Sequence, residues 1–536
     1  MTPDYDVVIA GGGLAGLTLA RQLRQEAPAL RVFVAEGRTH PVPEAAFKVG
    51  ESTVEIAAHY FHTRLGLAAH LRDAQLEKLG LRYFFPSDGN RDIAARFELG
   101  PTTFPAVPSF QLDRGRFENM LLAANRDAGV DVEDGCRVTS VELGAPHRVD
   151  LATPHGTATR TARWFVDATG RHGLLRRRLG LDREVGHGAH ACWFRFPQRL
   201  KVDDWSADPA WRARVPTGER WLSTNHLMGV GYWVWLIPLG SGSTSVGIVA
   251  DDRLHPYGRL NRFDRAVDWL REFEPQCADV VEAHRGDLQD FLGLKHFAHG
   301  CRQVYSRERW ALVGEAGPFT DPFYSPGSDF IAMGNDFTAD LIRRECAGEA
   351  IASRAEAFDT TYLRLYDAFL RLYEGQYPLM GDAQVMTSKI AWDNACYWGI
   401  TGLLFYQGRL RDPAFLISID GLMRRFFVLH ARMQQYLRAW HDGRTQQYAA
   451  GTTSPFAVEW LQRLQQELGD APLDDDALRG RLHGNLALLH RFAAAINQLA
   501  AGRDRPGLDR LLPIDGVAPV DIDAFRLAPL ASARTL

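Results

Sequence analysis

The sequence predicts an α/β chain in three parts: a mostly parallel nucleotide-type fold, an inserted and mostly antiparallel β-sheet, and a helical C-terminal domain. Three observations carry this. Apolar strands that run into glycine turns and helices occur in residues 1–184 and again in 300–345. Residues 185–299 differ, with an aromatic-rich alternation of apolar and polar positions that is clearest over 185–250. From 346 to 536 apolar residues fall at three- and four-residue spacing, as Phe358, Tyr362, Leu365, Tyr366, Phe369, Leu372 and Tyr373 do.

Asp6 to Ala10 reads as a buried parallel strand, followed by Gly11-Gly12-Gly13 and a helix from Leu14. Gly11, Gly13 and Gly16 fill the three places of the dinucleotide fingerprint: one for the tight turn, one for close approach of a pyrophosphate, one for helix–strand packing. The anion would lie on the helix start, over Gly12, Leu14 and Ala15 as well. A second strand, Arg31 to Ala35, ends in Glu36, about 20 residues on, where an acid should take ribose hydroxyls. The first domain is therefore Rossmann-like and binds a dinucleotide.

Further along, Ser52 or Thr53 is the expected N-cap of a helix through Ile56 and Tyr60, with helical pattern continuing to Lys78. Leu81 to Phe85 reads as a strand, and Phe110 to Ala128 as strand then helix. Arg176-Arg177-Arg178 reads as a solvated helix face. Asp167-Ala168-Thr169-Gly170 closes a buried strand, and Trp310 to Gly317 is another strand-then-loop unit. Cys396 to Tyr406 is apolar but short, a core helix or a wall of a substrate site; the tail after 503 reads as irregular.

A chain of 536 residues exceeds one core. A net charge of −4 gives no general attraction to nucleic acid or anionic membranes. The six cysteines (136, 192, 277, 301, 346, 396) are scattered, which argues against a metal site or disulfide framework and for a reducing compartment. No apolar run approaches the ~20 residues of a membrane span, and the first strand starts too early for a signal peptide. A cytoplasmic protein is expected.

The fingerprint, Arg114, Asp167-Ala168-Thr169-Gly170 and Gly314-Glu315 together resemble the FAD-dependent aromatic hydroxylase superfamily. Within it, Trp233-Val234-Trp235-Leu236-Ile237-Pro238 matches the W-x-W-x-I-P motif of flavin-dependent halogenases, and Lys48-Val49-Gly50-Glu51-Ser52-Thr53 is similar to the loop those enzymes place over the flavin. The resemblance implies a Rossmann-like FAD-binding fold, with Lys48, Ser52, Arg114, Gly314, Glu315 and Asp321 joining the glycine loop as cofactor residues. It also implies a mechanism. Reduced FAD and oxygen oxidise a halide, and the resulting hypohalous acid travels through a tunnel to a lysine that halogenates an electron-rich ring. Lys78-Leu79-Gly80 matches the lysine's K-x-G context in the phenol and pyrrole halogenases, although Gln75 stands where an aromatic is usual. Read without the resemblance, Lys78-Leu79-Gly80 is an ordinary helix ending with a glycine cap. Lys78, Trp233 and Trp235 are the candidate catalytic residues.

In the segment from Asp321 to Ser328, which resembles D-P-x-x-S-x-G, the N–H groups of Gly327 and Ser328 would hold the halide. Tyr324 replaces the glutamate of tryptophan halogenases, which points to phenol- or pyrrole-like substrates, free or tethered to a carrier protein. With no second nucleotide fingerprint, a separate flavin reductase is expected to supply reduced FAD. The competing readings are an FAD-dependent aromatic monooxygenase and a flavoprotein reductase or non-catalytic FAD-binding protein.

Overall fold

The computed structural model describes residues 2–45, 48–442, 447–501 and 508–530. The tail expected to be irregular thus lies partly outside the described residues.

The first sheet has the strand order Tyr305–Ser306, Trp310–Leu312, Gly156–Asp167, Tyr5–Ala10, Val32–Glu36, Asp131–Asp134. From Trp310–Leu312 onward the pairings are parallel, and Val7, Val8, Ile9 and Ala10 are fully buried. A central parallel strand covered on both faces requires such an unbroken apolar run. The strands on either side of the inserted region, around Asp167 and Leu312, pair directly (Asp167 with Leu312). The interruption in sequence is closed in space.

The second sheet runs Asp290–Leu294, Ala189–Phe196, Thr244–Asp251, Tyr232–Pro238, Thr224–Gly229, Leu81–Phe84, Phe97–Leu99, Gly451–Thr453. It is mostly antiparallel, and it takes strands from residues 81–99 and 451–453 as well as from the insertion. Although apolar and polar positions alternate in the sequence, Tyr232–Pro238 and its neighbours are buried throughout. Trp233, Trp235 and Ile237 face the main core, while Val234 and Leu236 join a second core with Trp269 and Leu270. The period of two is a division between two apolar faces.

Three local expectations are corrected. Neither Ser52 nor Thr53 caps the next helix, Glu55–His59, whose N-cap is Val54. Its first N–H groups are satisfied from elsewhere, Ile56 by the Tyr397 hydroxyl (3.0 Å) and Ala57 by the Asp329 carboxylate (2.8 Å). Helix also stops at Ala74, not Lys78: Gln75 is extended and Leu76–Glu77 pairs with Phe110–Gln111. Finally, Arg176 is buried and donates to the Gly317 carbonyl (2.8 Å); only Arg177 and Arg178 are exposed.

The C-terminal part is helical, including Ala352–Leu370, Ala383–Cys396, Asp420–His441, Glu459–Gln466 and Asp475–Ala501. Between Cys396 and Leu403 the helix widens into a π turn, Tyr397–Gly402. Such turns re-aim side chains and recur at functional sites. No helix among the described residues is long and apolar enough to cross a membrane.

Candidate active site

The glycine loop explains its own composition. A Cβ at Gly11, whose φ is +110°, would lie 2.4 Å from the Ala168 carbonyl oxygen, and one at Gly16 only 1.9 Å from the Gly11 oxygen. Gly12 donates its N–H to Glu36 (2.7 Å), which also accepts from Arg38 (2.8 Å). Gly13 differs: its nearest neighbour, Lys48 Nζ, is 3.6 Å from a Cβ. The helix Leu14–Glu26 has no side-chain cap and no acid in its first turn. Its free N–H groups and dipole therefore face open space beside Lys48, a cradle for an anion.

Beyond the loop lies an apolar cavity walled by Trp233, Trp235, Ile237, Phe297 and Phe319, with Val49–Ser52, Arg114, Gly314, Glu315, Gly327 and Ser328 on its rim and floor. Arg114 is no exposed helix-start residue. It donates to Val49 O (2.8 Å) and Glu118 (2.6 Å), and Lys48 pairs with the same buried carboxylate. Burial works against the Glu118 charge, but Arg114 and Lys48 overcome it and hold that carboxyl below its usual range. The loop 48–52 is fixed by Arg195, which no motif marked. From near the end of the buried strand Ala189–Phe196, Arg195 binds Glu51 (2.7 Å), Asp290 and the Lys48 carbonyl. Breaking one partner of such a buried pair costs about 3–5 kcal/mol, so this loop is anchored firmly.

Trp233 and Trp235 donate their indole N–H groups to Tyr377 (3.0 Å) and Ser245 (3.1 Å) and line the cavity wall. Asp321 does not face the cavity. Its carboxylate is turned into the protein, accepting from His187 (2.6 Å), Tyr377 (2.6 Å) and the Phe323 N–H (2.9 Å), so it shapes the 321–328 turn. Ser325, at φ +59°, closes that turn with an N–H···O bond to Pro322 (2.8 Å), and the helix Gly327–Cys346 begins at once.

Lys78 lies across this turn. It is 1% exposed and donates to Ser52 Oγ (2.8 Å) and the Thr53 carbonyl (2.8 Å). Ser52 lines the first cavity, whereas Lys78 lines a second one with Glu55, Asp329, Tyr83, Tyr324, Leu372 and Phe426. The 322–328 turn divides the two spaces: Pro322, Ser325 and Gly327 face the first, Tyr324 and Pro326 the second. The π turn contributes here too, as Tyr397 donates to Asp329 (2.7 Å) and Trp398 to Glu55 (2.9 Å). Burial pulls the Lys78 amine down to about 7, against the pull of Glu55 and Asp329. Burial likewise pushes the Asp329 carboxyl up to about 7 and the Glu55 carboxyl upward. Glu55, Asp329 and Arg195 escaped motif reading because their partners come from remote segments.

Residues 4–242 match the family model described as FAD binding domain. The chain carries an FAD-binding domain. Flavin-dependent halogenase chlA of Dictyostelium discoideum is 28% identical over 438 residues, covering 74% of this chain and 70% of that protein. The 1H-pyrrole-2-carbonyl peptidyl-carrier-protein chlorinase of Pseudomonas fluorescens is 27% identical over 346 residues, 60% of this chain and 72% of its own. Among solved structures, halogenase PltM shares the fold with a TM-score of 0.63 at 17% identity, over 95% of this chain and 98% of that one. The residues present fit FAD. Three cavity-lining groups, Arg114 Nε, Trp193 Nε1 and Glu51 Oε2, are buried without a partner among the described residues. Together they offer donors and an acceptor to a flavin ring edge, which has both carbonyl oxygens and an N–H. Leaving such groups unpaired costs about 1–3 kcal/mol each.

Proposed function

We propose that this chain is an FAD-dependent halogenase that places chlorine or bromine on an electron-rich, phenol- or pyrrole-like ring, free or carrier-tethered. The observation that carries this is Lys78, held in the partition between two apolar cavities, bonded to the wall of one and open to the other. Bound FAD, supplied reduced by a separate flavin reductase, furnishes with oxygen the power to oxidise a halide. Gly11–Gly16, Glu36 and Lys48 hold the cofactor's nucleotide end, and Ser52, Arg114, Gly314 and Glu315 its flavin end. Gly327 and Ser328 hold the halide on their N–H groups at a helix start, where the dipole favours an anion. Trp233 and Trp235 keep water and the organic substrate away. An aromatic hydroxylase would bring its substrate to the flavin; here the 322–328 turn stands between.

The test is mass spectrometry of candidate phenols and pyrroles incubated with reduced FAD, oxygen and each halide. The expected product shows a halogen isotope pattern; a gain of oxygen alone would establish the hydroxylase instead. The purified chain should not consume NADH without an added reductase, and rapid NADH oxidation would remove the reductase from the scheme.

The pH profile reports Lys78 together with Asp329, which faces the same cavity and is pushed up to about 7. A neutral amine has two N–H bonds, and both are used, toward Ser52 and Thr53. Its lone pair is then the position left for halogen. An ammonium would have a third N–H there. With the amine at about 7, the halogenation rate is expected to rise through pH 7 and level off above it. A rate that falls over the same interval would mean that the ammonium, as hydrogen-bond donor, is the working form.

A further inference from the structure

The Lys78 cavity has a second polar pole that the scheme above does not use. Asp393, on the helix Ala383–Cys396, lines the cavity and is buried. It accepts from Lys389 Nζ (2.8 Å), Gln434 Nε2 (2.7 Å) and the Tyr324 hydroxyl (2.9 Å). Lys389 is itself 1% exposed, so an ion pair has been placed in an apolar surround where well-packed hydrophobic residues would serve stability as well. Two carboxylate oxygens accept up to about four hydrogen bonds, and three are in use, so one acceptor position remains. Beside it, Tyr83 also lines the cavity. Its side chain is 1% exposed, and its hydroxyl has no hydrogen-bond partner among the described residues. The Tyr83 ring is fixed by stacking on His226 (4.7 Å) and by Phe323 (5.5 Å), so the hydroxyl cannot swing out to find one.

A ligand group that both gives and takes a hydrogen bond at one atom would satisfy the two together. A phenolic hydroxyl does this; a pyrrole or indole N–H only gives. We propose that Tyr83 and Asp393 form a phenol anchor, the Tyr83 hydroxyl donating to the substrate oxygen and the substrate hydroxyl donating to the Asp393 carboxylate. This rests on the halogenase reading and narrows its substrate class to rings with a free hydroxyl. A phenol whose O–H leans on a carboxylate is also richer in electrons at its ortho and para carbons, where an electrophilic halogen enters.

Binding to the FAD-loaded protein without halide tests this independently of turnover. Titration calorimetry compares 1-naphthol, 1-methoxynaphthalene and indole. The ether lacks only the bond to the Asp393 carboxylate, about 1.5–3 kcal/mol, and indole only the bond from Tyr83, about 1 kcal/mol, so 1-naphthol should bind about tenfold or more tighter than the ether and several-fold tighter than indole. Tyr83→Phe should weaken both 1-naphthol and the ether several-fold and leave indole, which has no oxygen to accept from Tyr83, unchanged. Asp393→Asn alone strands Lys389, so the double variant Asp393→Asn/Lys389→Met keeps the test open if the single one fails to fold. It should cut the preference for 1-naphthol over the ether several-fold, because the Asn amide is a weaker acceptor than the carboxylate. Equal binding of naphthol and ether by the wild type, tighter binding of indole, or a Tyr83→Phe variant that binds like the wild type overturns the anchor. Absence of halogenated product with this preference intact counts against the halogenase reading alone.

Discussion

Lys78→Ala is expected to end halogenation while FAD binding and oxidation of reduced flavin by oxygen continue, with hydrogen peroxide replacing halogenated product. Among the described residues the lysine amine bonds only Ser52 and Thr53, so the contacts of the glycine loop and of Arg114 are kept. Its two acceptors are Ser52 Oγ and the Thr53 carbonyl. Removing the amine leaves the Thr53 carbonyl short of a partner, at about 1–3 kcal/mol. It also removes a buried amine whose desolvation is already pulling it toward neutrality, so the fold should tolerate the change. A positioned proton-transferring or nucleophilic side chain contributes about 10²–10⁴ in rate, and a loss of that size is the expectation. Lys78→Met, which retains the apolar stem, should be as inactive, separating the amine from mere packing. Product by mass spectrometry and peroxide by a coupled assay are the readouts. A Lys78→Ala enzyme that halogenates at the wild-type rate would refute the assignment.

The division of labour around Lys78 also shows what was legible in the sequence and what was not. Short-range chemistry was readable. The fingerprint at 11–16 and Glu36 occupy one β-α-β unit, and their spacing alone places them together, as the Gly12–Glu36 bond confirms. The period of two in Tyr232–Pro238 put both indoles on one face, and they share the main core. Long-range pairing was not readable. Glu55 meets Trp398 and Gln465, Asp329 meets Ala57, and Arg195 joins Glu51 to Asp290. Each is an ordinary charged residue until the fold removes its water, and no local pattern announces that. Lys78 shows the same limit from the other side: as a helix ending it would be exposed, and only the strand pairing of Leu76–Glu77 with Phe110–Gln111 carries it inward.

The glycine loop offers a sharper experiment, because two of its glycines are required for different reasons. Gly16→Ala would set a Cβ 1.9 Å from the Gly11 carbonyl oxygen and 3.2 Å from Ile9 Cγ2. Alanine would gain about 0.5–1 kcal/mol in helix propensity, but a clash with the backbone of the turn that leaves the central strand cannot be relieved by a rotamer. The helix must lift from the sheet, and both stability and FAD binding should fall together. Gly13→Ala has room in the protein itself: its φ of −79° suits any residue, and the nearest atom is the flexible end of Lys48 at 3.6 Å. What the added methyl would occupy is the space through which a pyrophosphate approaches the helix N–H groups. Gly13→Ala should therefore melt within a few degrees of the flavin-free wild type, yet lose FAD affinity about 100-fold, or about 2.7 kcal/mol. Flavin absorbance retained after desalting, beside the melting temperature of each flavin-free protein, separates the two cases. If Gly13→Ala kept its flavin, the phosphates would have to lie elsewhere than on this helix, and the role of Lys48 beside it would fall as well.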